Sequence, residues 1–424
     1  MLTKTTFPNG LTVLLKEIHT APIISQWMWY RVGSRNETPG ITGASHWVEH
    51  LLFKGTPRFP AGMLDRAIAR DGGTWNAMTY LDWTTYYQTM PADKIALALE
   101  LEADRMVNSI FDPQEVESER TVILAEREGS ENDPFFRLSE AVQTAAFTAH
   151  PYRNEVIGSK EDLRTMQRAD LYAHYRAHYV PNNAVLALAG DFDAPTLLEK
   201  LHTLYDSIPA GNLPPQEIPP DPPLAAETQI VQHAPGETAY LLAAYRAPQA
   251  THRDFFPLTV LDSLLCGPTN LNMFGAGIAN RTSRLYQRLV EGGSAVGIWG
   301  GLQATIDPSL YQIAAVIHPQ VNPAETLTAL DDEIARLQDT PPAEEEVARA
   351  VKQARAMFAY GSESISNQAF WLGYAEMLDT YAWFEDYLNR LAAVTPTDVQ
   401  RAAQTYLNRN ARVLGISLPD SEGE

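Results

Sequence analysis

Cysteine is all but absent from this chain. Cys266 stands alone, which rules out an internal disulfide and leaves a buried, small apolar side chain as its expected role. Long apolar runs are missing too. No stretch is long and apolar enough to span a membrane, and Met1 to Thr6 lack the apolar core of a signal peptide, so a soluble, cytoplasmic protein is expected. Positive charge is scarce, with 32 Lys and Arg against 52 Asp and Glu. The resulting net charge of −20 argues against nucleic acid and anionic membranes as partners. The 424 residues, 45% of them apolar, are enough for more than one packed domain.

Against this background one short segment stands out, His46-Trp47-Val48-Glu49-His50. Histidines at i and i+4 share a helix face, so both imidazoles can reach one metal ion. Glu49 lies beside them and is placed to polarise a metal-bound water. The order of letters, HxxEH, is that of an inverted zincin. A turn-rich loop, Glu37 to Gly43, precedes the segment, so Thr42 or Ser45 is expected to cap a helix that Gly55 and Pro57 close.

A catalytic zinc needs a third ligand. Glu119 and Glu126 stand seven residues apart on one face of a second predicted helix, and both can look into the same cleft. His46, His50 and Glu126, with water in the fourth position, form the ligand set of a catalytic rather than a structural zinc. For Glu119 two roles stay open: a direct catalytic one, and that of an acid supporting the ligands. His174 and His178 are also at i and i+4, but no glutamate lies between them and they match no metal motif.

Pro209, Pro214, Pro215, Pro219, Pro220, Pro222 and Pro223 mark an extended, fairly stiff linker near the middle of the chain. The expected division is 1–208, a linker at 209–227, and 228–424. The two sides look related. Pro91-Ala92, a helix, then Phe111-Asp112-Pro113 and a second helix is echoed by Pro323-Ala324, a helix, then Thr340-Pro341-Pro342 and another. Setting Pro113 against Pro342 puts Ala348 opposite Glu119 and Arg355 opposite Glu126, and the second half has no HxxEH. The predicted fold is α+β: two related α/β-sandwich halves, of which only the N-terminal one binds metal, with strands such as Leu11 to Lys16, Ile24 to Val32 and Ala184 to Ala189.

HxxEH followed at this distance by Glu119-Arg120-Thr121-Val122-Ile123-Leu124-Ala125-Glu126 resembles the pitrilysin family of metallopeptidases, in particular its half-length members related to mitochondrial processing peptidase. Gly33-Ser34-Arg35, Phe53-Lys54-Gly55-Thr56, Gly72-Gly73, Asn76-Ala77 and Asn183-Ala184-Val185 also stand where that family has similar residues. The resemblance implies a zinc endopeptidase with Glu49 as base. It also implies that Thr74 to Tyr87 is the edge strand to which an extended peptide adds, with Asn76 and Ala77 as the matching positions; a plain sheet strand is the alternative reading.

The sequence departs from the family at one place. Active members usually carry an Arg and a Tyr that hold substrate, in a pattern like LRExxGLAYSV. The nearest segment here, Leu289 to Ile298, has Val290 and Val296 at those positions. That departure implies a zinc-bearing subunit whose related partner supplies Arg and Tyr, with a homodimer as the other arrangement. A non-catalytic peptide-binding or scaffold subunit of a larger complex is the alternative function.

Overall fold

The computed structural model describes residues 2–216, 218, 220–269 and 280–420. Among these the strands are β1 (Leu2–Thr6), β2 (Thr12–Glu17), β3 (Ile23–Tyr30), β4 (Thr74–Thr79), β5 (Thr84–Pro91), β6 (Ala184–Gly190), β7 (Thr228–Ala234), β8 (Ala239–Ala247), β9 (Ala295–Leu302), β10 (Ser309–Ile317) and β11 (Arg412–Pro419). The α-helices are α1 (Ala44–Leu51), α2 (Met63–Arg70), α3 (Ile95–Asn108), α4 (Pro113–Glu131), α5 (Pro134–Ala146), α6 (Lys160–Thr165), α7 (Arg168–His178), α8 (Ala194–Tyr205), α9 (Phe255–Leu265), α10 (Pro323–Asp339), α11 (Glu344–Tyr360), α12 (Ile365–Leu378), α13 (Tyr381–Ala392) and α14 (Pro396–Tyr406). No described helix is long and apolar enough to cross a membrane.

The strands form two sheets, ordered β1-β2-β6-β3-β5-β4 and β7-β11-β8-β10-β9. In the first, β2 and β6 run parallel and every other pair is antiparallel. In the second, β7 and β11 are the parallel pair and the rest are again antiparallel. Leaving β1 aside, the two sheets have the same order and directions, so the chain folds as two related α+β halves.

The compact units do not follow the chain order of those halves. The first is Met1–Glu128, Asn154–Ile218 and Glu363–Phe384; the second is Gly129–Arg153, Pro219–Ser362 and Glu385–Glu424. A plain division at 209–227 therefore separates the sheets but not the helices: each half of the chain sends one helix to the other sheet.

In the first unit α12 packs on β3 and β6, burying Phe370 and Trp371. Phe370 meets Trp27 and Trp29 edge-on, with ring centroids 5.4 Å away in each case. Gly373 permits this approach, because a Cβ there would lie 2.0 Å from Trp29 Nε1. β3 is buried along nearly its whole length, Ser25 and Gln26 included, which explains why its mostly apolar sequence does not alternate with exposed polar residues. In the second unit α5 packs on β11 and β8, and Leu138 and Val142 lie against Gly415 of β11.

β4 is the outermost strand of the first sheet. The expected edge strand over Thr74 to Tyr87 is corrected to a hairpin, β4 then β5, in which only Thr74–Thr79 forms the edge. Asn76 and Ala77 lie on that edge strand, paired with Tyr87 and Tyr86.

The second unit buries a carboxylate in its core. Asp262 of α9 is 1% exposed and accepts hydrogen bonds from Tyr311 Oη (2.9 Å) and Thr269 Oγ1 (2.5 Å). Burial pushes it up to about 7, against the opposing effect of those two bonds. The unfolded carboxyl loses its proton near pH 4 and the folded one near 7. Stability should therefore fall as pH rises through that window and stay reduced above it. Asn cannot ionise and still accepts from Tyr311, so Asp262→Asn should match the native chain at about pH 4. At pH 8 urea unfolding should show it more stable, by up to about 4 kcal/mol. Equal stability at both pH values would show that Asp262 is not held protonated.

Candidate metal centre

Helix α1, which carries His46 and His50, begins where only glycine fits. Gly43 has φ +89°, and a Cβ there would lie 2.4 Å from the Ile157 carbonyl oxygen. The expected caps, Thr42 and Ser45, do not serve. Thr42 donates instead to Asp162 Oδ2 (2.6 Å), and Ser45 lies inside the helix with its hydroxyl 3.1 Å from His174 Nε2. The N–H groups at the helix start are taken by Glu37, whose two oxygens accept from Gly43 N and Ser45 N at 2.7 Å each. Glu37 is 3% exposed; burial pushes its carboxyl up to about 7, with these bonds opposing. The helix ends at Leu51, earlier than Gly55 and Pro57, so Leu52 and Phe53 fall in the following turn.

One helical turn brings His46 and His50 onto the same face, with ring centroids 4.7 Å apart. α4 places Glu126 opposite them: its Oε2 is 4.0 Å from His46 Nε2 and 3.7 Å from His50 Nε2. One ligand atom from each of the three residues lies within 4.8 Å of the other two. Three donors at about 2.1 Å around a tetrahedral zinc would sit roughly 3.4 Å apart, so the separations of this set would have to shorten by about 0.3 Å to, at most, about 1.4 Å. Burial, with His50 adding to it, pushes His46 down to about 3. Its imidazole is neutral at pH 7, and the contact with Glu126 is an approach of two lone-pair donors rather than an ion pair. Among the described residues this is the one group of three His, Cys, Asp or Glu side chains close enough to share a metal ion.

The acids flanking the histidines occupy different positions. Glu49 is 9% exposed and accepts from Thr79 Oγ1 on β4 (2.6 Å). Burial raises its pKa, against the opposing Thr79 bond. Glu119 sits behind His50, its Oε2 2.9 Å from Nδ1 and its Oε1 2.5 Å from Lys54 Nζ. Burial alone would raise Glu119, but the bonds from Lys54 and His50 outweigh it and hold the carboxyl below its ordinary value. This geometry turns His50 Nε2 toward Glu126, which is how an outer carboxylate fixes a ligating tautomer. Of the two roles left open for Glu119, the supporting one is what its contacts favour.

Lys54 and Thr79 had no assigned role in the sequence. Lys54 was findable, standing one turn beyond His50 and just after the helix; nothing in the sequence ties Thr79 to Glu49. His174 and His178 are buried behind α1, where burial holds them at about 3 and about 4.

With this geometry in view, the comparisons with known proteins are specific. Residues 12–160 match the Insulinase (Peptidase family M16) domain, and residues 165–354 match the Peptidase M16 inactive domain. An uncharacterized zinc protease of Streptomyces coelicolor is 27% identical over 96% of this chain and 87% of its own length. The mitochondrial-processing peptidase subunit beta of Blastocladiella emersonii is 27% identical over 98% of this chain and 89% of its own. A protease from Helicobacter pylori has the same fold, with a TM-score of 0.89 at 25% identity over 99% of both chains. The chain belongs to the M16 (insulinase/pitrilysin) family of peptidases.

Proposed function

We propose that this chain is a zinc-dependent endopeptidase that cleaves extended peptides or unfolded segments, acting as the zinc-bearing subunit of a two-subunit enzyme. The observation that carries the proposal is the convergence of a neutral His46, His50 and Glu126 beside a buried Glu49, next to the open edge of β4. His46, His50 and Glu126 would hold the ion. Zinc, when bound, polarises a scissile carbonyl and acidifies water.

The chain's own groups do the rest. Thr79 holds one oxygen of Glu49 and leaves the other to take a proton and return it to the leaving amine. Glu119, braced by Lys54, keeps His50 oriented. A peptide added as a strand to β4 pairs through its backbone along Asn76 and Ala77, which favours extended substrates over folded ones. The match of residues 165–354 to an inactive domain supports a second reading, a subunit that holds peptide without cutting it.

Replacing His46, His50 or Glu126 by Ala should lower zinc affinity by roughly 100-fold or more, since a three-residue site cannot hold the ion well with two ligands. Metal content after dialysis and cleavage of an unstructured peptide measure this. Full zinc occupancy in Glu126→Ala would remove Glu126 from the site. Zinc binding without cleavage, in the native chain with its partner, would favour the second reading.

A further inference from the structure

We infer that Glu37 is a positioning residue for the metal-facing imidazole of His46, acting through the N-terminus of α1. The inference rests on the zinc reading of the site and concerns how one helix holds its two ligands by different means.

His50 is fixed from its own side chain, because Nδ1 bonds Glu119 and Glu119 bonds Lys54. His46 has no such support: its Nδ1 is buried without a hydrogen-bond partner. Where a ligating histidine lacks an outer hydrogen bond, the placement of its ring depends on packing and on the backbone that carries it. That backbone starts only three residues earlier, at Gly43, and the helix has no side-chain cap of its own.

Glu37 supplies what is missing. Its two oxygens take the N–H groups of Gly43 and Ser45, the second of which immediately precedes His46. The carboxylate is nearly inaccessible to water, so losing it would leave two N–H groups at the start of the helix without acceptors. Ala44 N between them reaches the Ile41 carbonyl (3.2 Å), a bond local to the turn itself, and the remaining side-chain contacts at this end act on side chains or on the loop before the helix. Asp162 binds Gly40 N, Thr42 N and Thr42 Oγ1, and His174 binds the Ser45 hydroxyl. Among the described residues Glu37 alone bridges Gly43 and Ser45 through their backbone, and it should therefore set the register of the first turn.

A plain helix cap would lower stability and leave the folded site unchanged; a positioning residue changes the metal site of the folded protein. Glu37→Gln separates the two. Gln keeps the volume and one acceptor, but turns an NH2 group toward the other N–H. The full chain is titrated with Zn2+ against a competing chelator and with Co2+ by visible absorption, alongside far-UV circular dichroism, with His46→Ala as reference. We expect Glu37→Gln to keep the native circular dichroism and to bind Zn2+ roughly 10- to 100-fold more weakly, the range seen when the outer partners of metal ligands are lost. Its Co2+ ligand-field bands should shift or weaken. Glu37→Ala, if folded, should show a larger loss.

A folded Glu37→Gln with native zinc affinity and native cobalt bands overturns the inference. The zinc reading itself fails by a different result, namely native-chain zinc binding that His46→Ala leaves unchanged, and the inference then falls with it.

Discussion

Glu49→Gln is expected to bind zinc as the native chain does and to lose peptide hydrolysis by roughly 100- to 10,000-fold, or about 3 to 5 kcal/mol of barrier. The amide matches the carboxylate in shape, and its oxygen can still accept the Thr79 hydroxyl, so the buried position is not left unpaired. His46, His50 and Glu126 are untouched by the change. What is lost is the ability to take a proton. Burial raises the pKa of Glu49 and so strengthens it as a base toward neutral pH, whereas an amide has no such capacity. Zinc content and turnover of an unstructured peptide, measured on one preparation, test both halves of the statement. Turnover within tenfold of native would assign the proton to another group, and loss of zinc would mean that Glu49 shapes the ligand set.

The residues proposed to carry the chemistry were legible because their spacing is helical. His46 and His50 need only 3.6 residues per turn to come together. Glu126 was reachable because its own helix, α4, is long and regular. The strands were legible for a similar local reason: Thr12–Glu17, Ile23–Tyr30 and Ala184–Gly190 lie within a residue or two of the apolar runs that mark them. The repeat of the two halves was visible in the spacing of Pro91, Pro113, Pro323 and Pro342, and the matching strand orders agree with it.

Other features depend on contacts that no local pattern encodes. α12 is buried nearly all round, so its sequence announces a core helix. Only the fit of Phe370 and Gly373 around Trp27 and Trp29, more than three hundred residues away in the chain, tells which sheet it covers. The hairpin between β4 and β5 was missed because Tyr80 to Trp83 lacks the Gly or Asn that marks a tight turn. The cap of α1 was misassigned for a related reason. Thr42 and Ser45 satisfy the local rule, but Glu37 reaches back from an earlier turn and takes their place.

The isolated chain is expected to be a weak peptidase whose activity rises by roughly 100-fold or more when a related subunit bearing the missing Arg and Tyr is added. Val290 and Val296 are the residues that the resemblance to the processing-peptidase-like enzymes sets against that Arg and Tyr. Val290 lies in the short π-helix Tyr286–Glu291, and Val296 is 59% exposed on β9, the outermost strand of its sheet. Neither side chain can donate a hydrogen bond, so neither can hold a peptide carbonyl. Zinc and base suffice to activate water, but a peptide held only along β4 spends little time in attack geometry. Orientation of that kind accounts for several kcal/mol of barrier in well-positioned reactions, and about 3 kcal/mol is enough for a 100-fold gain. Co-purification from the native host, followed by peptide hydrolysis with and without the captured subunit, measures the effect. The gain should vanish when the partner's Arg and Tyr are replaced. Full activity from the purified single chain would rule out the two-subunit arrangement and leave a self-sufficient homodimer as the better account.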